Sequence, residues 1–201
     1  MIILDIIGII AFVISGFILS VKKKLDLLGI INISIITALG GGVIRDIILK
    51  KEIFIFANLY PLTVSILTIV ILFLFFKFNK KLFIKDNNNI FNFFDAVGLS
   101  TFAYYGTIIA FEHNLNIYGI VFLGTLTAVG GGAIRDVLLN RIPNIFRNDF
   151  YASVAVIISL LEYFNLKFNL LNESSFLLII VGVVIRLFAI HKKYGLPILK
   201  Y

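Results

Sequence analysis

Thr37-Ala38-Leu39-Gly40-Gly41-Gly42-Val43-Ile44-Arg45-Asp46 decides the fold, because it returns as Thr127-Ala128-Val129-Gly130-Gly131-Gly132-Ala133-Ile134-Arg135-Asp136, 90 residues later. Both copies lie inside long apolar runs. There, three successive glycines are poor helix formers and an Arg-Asp pair is expensive. Two costly features repeated together point to function.

The duplication extends outward without a gap. At the same offset Asp5 matches Asp95, Gly8 matches Gly98, Phe12 matches Phe102, Gly16 matches Gly106, Leu25 matches Leu115 and Gly29 matches Gly119. The surrounding chain is a membrane chain. Of its 201 residues 60% are hydrophobic and 14% charged, against about 25% charged in soluble domains. Mean hydropathy is +1.06. A hydrocarbon core of about 30 Å needs roughly 20 helical residues, and seven stretches qualify. They are 2–21, 25–49, 59–78, 93–111, 115–139, 150–166 and 174–190. The first reads as a retained helix rather than a signal peptide, since its positive cluster Lys22-Lys23-Lys24 follows the apolar run.

The expected fold class is therefore all-α integral membrane. Residues 1–78 form one three-helix repeat, 79–91 a polar linker, 92–168 a second repeat, and 169–201 a seventh helix with its tail. Three is an odd number, so the second copy enters the bilayer from the opposite side, as in the inverted repeats of transport proteins. Twelve Lys and Arg fall in the loops after the first, third and fifth spans and in the C-terminal tail. Only Lys50, Lys51 and Lys167 fall on the other side. The positive-inside rule then puts the N-terminus outside and the C-terminus in the cytoplasm. The net charge of +7 is explained by this asymmetry, which removes nucleic acid as the default partner.

One triplet weakens a helix by about 3 kcal/mol relative to alanine. Close packing through small residues would need only one or two glycines at four-residue spacing. Three in a row exceed that need, so the second and fifth helices are expected to be broken at Gly40, Gly41, Gly42 and at Gly130, Gly131, Gly132, with freed carbonyls as cation ligands. Arg45 and Arg135 follow their triplets by three residues and lie on opposite sides of the midplane. Asp5 and Asp95 share their levels, giving two expected ion pairs, Asp5 with Arg45 and Asp95 with Arg135, beside a central passage. The alternative is that each Arg bonds nearby carbonyls or snorkels, and that Asp5 caps its helix. Asp46 and Asp136 sit about 100° round the helix from the Arg residues and need not face the same way. Thr37 and Thr127 offer hydroxyls either to an ion or to their own helix. Arg186, near the end of the last span, is expected to snorkel.

Other chemistries find little footing. Cysteine is absent and only His113 and His191 are present, too few for an ordinary metal site. The Gly-Gly-Gly-x-x-Arg-Asp pattern lacks the Lys-Ser/Thr of a phosphate loop. An enzyme is not expected.

Duplicated Gly-Gly-Gly-x-x-Arg-Asp in the second and fifth of seven spans resembles the prokaryotic members of the trimeric intracellular cation channel family, also filed as an uncharacterised or glycine-transporter membrane family. The resemblance implies a homotrimer in a lipid bilayer, in a prokaryotic plasma membrane, with one pore per subunit. That pore passes monovalent cations, mainly potassium with sodium as the other candidate, and needs no cofactor. By motif it implies that Gly40, Gly41, Gly42, Gly130, Gly131 and Gly132, with Arg45 and Arg135, line the path. A secondary transporter of a small amino acid such as glycine would use the same inverted repeat with a midplane site. A membrane scaffold without transport leaves the buried Arg residues unexplained.

Overall fold

A computed structural model describes residues 2–80, 83, 89–147, 150–192 and 194. Most of the expected polar linker (81–82 and 84–88) and the tail beyond Lys192, apart from Tyr194, lie outside the described residues.

The helices are α1 (Ile2–Lys22), α2 (Leu27–Ile48), α3 (Phe54–Ala57), α4 (Tyr60–Phe78), α5 (Asn89–Glu112), α6 (Ile117–Leu138), α7 (Asn144–Arg147), α8 (Tyr151–Phe168) and α9 (Leu177–Lys192), with a 3₁₀ turn at Asn172–Phe176 before the last. Seven segments are long and apolar enough to cross a membrane, and they coincide with the seven expected spans. The fourth begins four residues early, at Asn89, its first turn carrying the polar Asn89 and Asn92 ahead of the apolar run. Two short helices, α3 and α7, were not anticipated.

Local chemistry repeats with the 90-residue offset. The Asp26 carboxylate caps α2 by accepting the Gly29 N–H at 2.7 Å, and Asn116 caps α6 through Gly119 N–H at 2.9 Å. Such caps satisfy donors that a helix start leaves unpaired. Chain reversals put Lys24 and Asn114, then Lys50 and Asn140, in the left-handed region. The halves thus fold by the same rules.

Helices α1, α2, α5 and α6 form the centre, each repeat contributing its first two. Helix α4 packs outside α1 and α2, α8 outside α5 and α6, and α9 against α5 and α8. The contacts between halves are reciprocal. A Cβ on Gly98 would overlap the Phe12 ring, while one on Gly8 would lie 3.0 Å from Phe102 Cζ, and the two rings pack at 5.3 Å. Likewise a Cβ on Gly41 would overlap the carbonyl oxygen of Thr127, and one on Gly131 would overlap that of Thr37. In both pairs the earlier residue of one helix meets the later residue of the other, so α1 runs antiparallel to α5 and α2 to α6.

The expected break is corrected here. Both α2 and α6 continue as α-helix through their triplets, and no glycine among the described residues has positive φ. The physical reason is packing. Each triplet lies where the other helix's backbone occupies the space of a side chain, and Gly40 and Gly130 also face the opposing glycines: a Cβ on Gly40 would lie 3.6 Å from the Gly131 Cα and one on Gly130 3.3 Å from the Gly41 Cα. The third glycine of each set admits an aromatic: Phe54 stands over Gly42, and the Tyr151 hydroxyl over Gly132. Small residues let helices approach this closely in lipid, where van der Waals contact drives association.

The triplets should therefore respond unequally to alanine. Gly41→Ala and Gly131→Ala each push a methyl into backbone and should cost about 1–3 kcal/mol, or roughly 2–4 °C of melting temperature per kcal/mol. Gly40→Ala meets the flexible end of Ile134 at 3.2 Å and otherwise makes ordinary van der Waals contacts, and should be close to neutral. Thermal unfolding in detergent measures this; equal losses at all three positions would contradict the packing role.

Candidate functional site

The two Arg-Asp pairs lie just beyond the crossing, toward the C-terminal ends of antiparallel helices, one on each side of it. Arg45 is 3% exposed and Arg135 0%. A guanidinium so placed needs several acceptors, and its sequence neighbour supplies the first. Arg45 Nε donates to Asp46 Oδ1 at 2.8 Å, with Nη2 at the same distance in the ion pair, and Arg135 Nε donates to Asp136 Oδ1 at 3.0 Å. The angular separation on the helix is bridged by the length of the Arg side chain. The second oxygen of each Asp accepts a backbone N–H at the start of the following short helix, Phe54 for Asp46 at 2.9 Å and Asn144 for Asp136 at 3.2 Å. Arg-Asp is thus a local unit that pins α3 and α7 to the ends of α2 and α6.

Beyond this unit the halves differ. Arg135 Nη1 bonds Asp95 Oδ1 at 2.8 Å and Ser15 Oγ, across the halves, at 3.1 Å. Its guanidinium lies 5.1 Å from the Phe91 ring. Asp5 instead accepts the hydroxyl of Tyr60, and no ion pair joins it to Arg45, which lies between the rings of Phe54 at 5.6 Å and Tyr105 at 5.7 Å. Of the two expected pairs, Asp95 with Arg135 forms and Asp5 with Arg45 does not. The repeat explains why. Tyr60 corresponds to Phe150, which has no hydroxyl to offer, so only Asp95 depends on its arginine; and Ser15 corresponds to Tyr105, which presents a ring where the other half presents a hydroxyl.

The remaining expectations divide. Thr37 and Thr127 bond their own helices, to the carbonyls of Ile33 at 2.6 Å and Leu123 at 2.7 Å. Arg186 does not snorkel: it is 4% exposed and lies over the Tyr151 ring at 4.8 Å. Tyr151 brings its hydroxyl beside Gly132 and Arg135 Nη2, and neither that hydroxyl nor Nη2 makes a hydrogen bond among the described residues. Tyr60, Ser15 and Tyr151 were missed in the sequence. The Tyr60/Phe150 mismatch at the 90-residue offset was the available signal. In the second half Asp95 and Asp136 face one buried guanidinium, whereas in the first Lys51 Nζ, 3.9 Å from Asp46 Oδ1, adds a second cation beside Arg45.

Asp95→Asn strips Arg135 of its charged partner from the other span and should cost about 3–5 kcal/mol. Tyr60→Phe, which leaves buried Asp5 without its hydroxyl donor, should cost less, about 1–3 kcal/mol. Comparing the two melting temperatures checks the asymmetry; a larger loss for Tyr60→Phe would refute it.

Known proteins carry the same architecture. The family model described as Glycine transporter matches twice, at residues 2–77 and 92–167, the two matches being offset by the same 90 residues as the glycine triplets. The inner membrane protein YadS of Escherichia coli K12, a UPF0126 protein, is 33% identical over 198 residues, covering 96% of this chain and 93% of its own. A prokaryotic TRIC channel crystallised in 0.5 M KCl is 35% identical, with a TM-score of 0.85 over 96% of this chain and 97% of its own. A TRIC cation channel studied for the structural basis of conductance is 33% identical, with a TM-score of 0.83 over 99% and 97%. These neighbours agree with the expectation of a protein that is not an enzyme. With its duplicated glycine crossing and seven apolar helices, the chain is a multi-pass integral membrane protein and belongs to the TRIC/UPF0126 family.

Proposed function

We propose that the chain is a cation channel that conducts monovalent ions, mainly potassium, through each subunit of a homotrimer in a prokaryotic plasma membrane. The likeness to a prokaryotic TRIC channel over nearly the whole chain carries this reading. The ion path follows the crossing of α2 and α6. At the crossing the triplets leave backbone rather than side chains facing the midplane. On either side a cluster of carboxylates and an arginine offers a cation a polar surface in a low-dielectric region, where charge counts for most. Asp5 and Asp46 flank one end, Asp95 and Asp136 the other. Thr37 and Thr127, with hydroxyls tied to their own helices, line the crossing. No cofactor takes part; the permeating ion is potassium or sodium. The N-terminus lies outside and the C-terminus in the cytoplasm, from the twelve-to-three distribution of basic residues.

Two measurements test this. Purified protein in planar bilayers under a potassium gradient should give discrete current steps that reverse near the potassium potential and do not respond to glycine. Silent bilayers, with uptake of labelled glycine into liposomes, would favour the transporter instead. For topology, the absence of native cysteine makes single substitutions clean. Lys51→Cys should react with an impermeant maleimide on intact cells, and Lys23→Cys only after permeabilisation; the reverse pattern would invert the orientation.

A further inference from the structure

Helix α8 carries a carboxylate that the glycine crossing does not use. Glu162 is 1% exposed inside a membrane-spanning segment, and no Lys or Arg among the described residues pairs with it. Its Oε2 accepts the Asn165 Nδ2–H at 3.1 Å. Asn165 is itself oriented by the Leu171 N–H, which bonds its Oδ1 at 2.9 Å. Glu162 Oε1 makes no hydrogen bond among the described residues, nor does Ser159 Oγ, one turn earlier on the same face. Across from Ser159 stands Thr107 of α5. Both hydroxyls crowd the place where a side chain on Gly124 of α6 would begin, so they lie within about 5 Å of each other. The Ala103 carbonyl oxygen lies 3.2 Å from the same point.

The duplication supplies an internal comparison. The first-half residues matching Glu162, Ser159 and Thr107 are Leu72, Ile69 and Phe17. All three are buried, and Phe17 packs edge-on against Phe73 at 5.0 Å and Phe83 at 5.6 Å. The same helix packing is therefore built from apolar side chains in one half, so the fold does not require these polar groups in the other. A buried carboxylate without a cationic partner is costly in a membrane span, and one oxygen of this one is held by a fixed amide while the other is left free.

We propose that Glu162, Ser159 and Thr107 form a binding site for one small monovalent cation, sodium or potassium, between α5, α6 and α8. The single carboxylate matches a single positive charge, whereas a calcium or magnesium site would call for more carboxylates and a denser oxygen shell. Hydroxyl and carbonyl oxygens at partial charge complete the ligand chemistry. The site lies about two turns along α6 from the triplet and does not depend on the conduction path.

Thermal unfolding in detergent at constant ionic strength, in sodium, potassium or choline chloride, tests it with purified protein. Sodium or potassium should raise the wild-type midpoint by about 3–5 °C over choline, the shift for free ion about tenfold above its dissociation constant in a chain of this size. Glu162→Gln should abolish that difference, and Ser159→Ala should reduce it. Glu162→Leu, which copies the first half, gives a second folded reference that should also show no ion preference. Glu112→Gln, at an exposed position, should retain the full shift. Equal wild-type midpoints in the three salts would overturn the proposal, as would an ion-specific shift that persists in both Glu162 variants; the second result would assign the ion to the glycine crossing.

Discussion

The structure depends on the absence of two Cβ atoms. At Gly41 and Gly131 the space a side chain would take is held by the carbonyl oxygens of Thr127 and Thr37. Helices in lipid gain no hydrophobic drive from each other, since the surrounding chains are as apolar as leucine, so contact distance decides how well they associate. Once α2 and α6 cross this closely, the positions of α1 and α5 follow, because each is tied to its own repeat partner and meets the other through Gly8, Gly98 and the Phe12–Phe102 pair. The peripheral spans then cover what remains.

The crossing also fixes the charges. Arg45 and Arg135 follow their triplets by less than one turn, so each is brought to the rim of the contact with little freedom to escape to water. Pairing with the adjacent Asp meets the immediate cost. The second oxygen of that Asp fastens a short helix back toward the crossing. A motif that reads in sequence as Gly-Gly-Gly-x-x-Arg-Asp is physically three devices in series: a thin contact, a buried cation, and a tether for the next turn of chain. Each needs the one before it in place.

Much of this was legible in advance. The spans, the repeat and the Asp95–Arg135 pair follow from hydropathy and spacing, which are local or arithmetic. The state of the triplets was not, because poor helix propensity and close helix packing call for the same residue; only the identity of the atoms opposite Gly41 and Gly131 separates a break from a contact. Helices α3 and α7 escaped because four residues carry no periodicity. Arg186 was misread as interfacial because the ring of Tyr151 that receives it lies 35 positions earlier in the chain.

A duplicated chain offers a control that a single-copy fold lacks. Both halves must satisfy one packing geometry, so a position where they agree reports the geometry, and a position where they differ reports something the geometry leaves free. The triplets, caps and left-handed reversals agree. Tyr60 against Phe150 and Ser15 against Tyr105 differ, and they decide that Arg135 is bound to the neighbouring spans while Arg45 is enclosed between rings. The two Arg-Asp clusters are thereby bound differently: at one the arginine bonds three groups from three helices, at the other the aspartate is held apart by a tyrosine. Parting Arg135 from Asp95 means separating charges in a low dielectric, whereas parting Asp5 from Tyr60 means breaking one hydrogen bond, so the residues at which the halves differ set how tightly each buried aspartate is held.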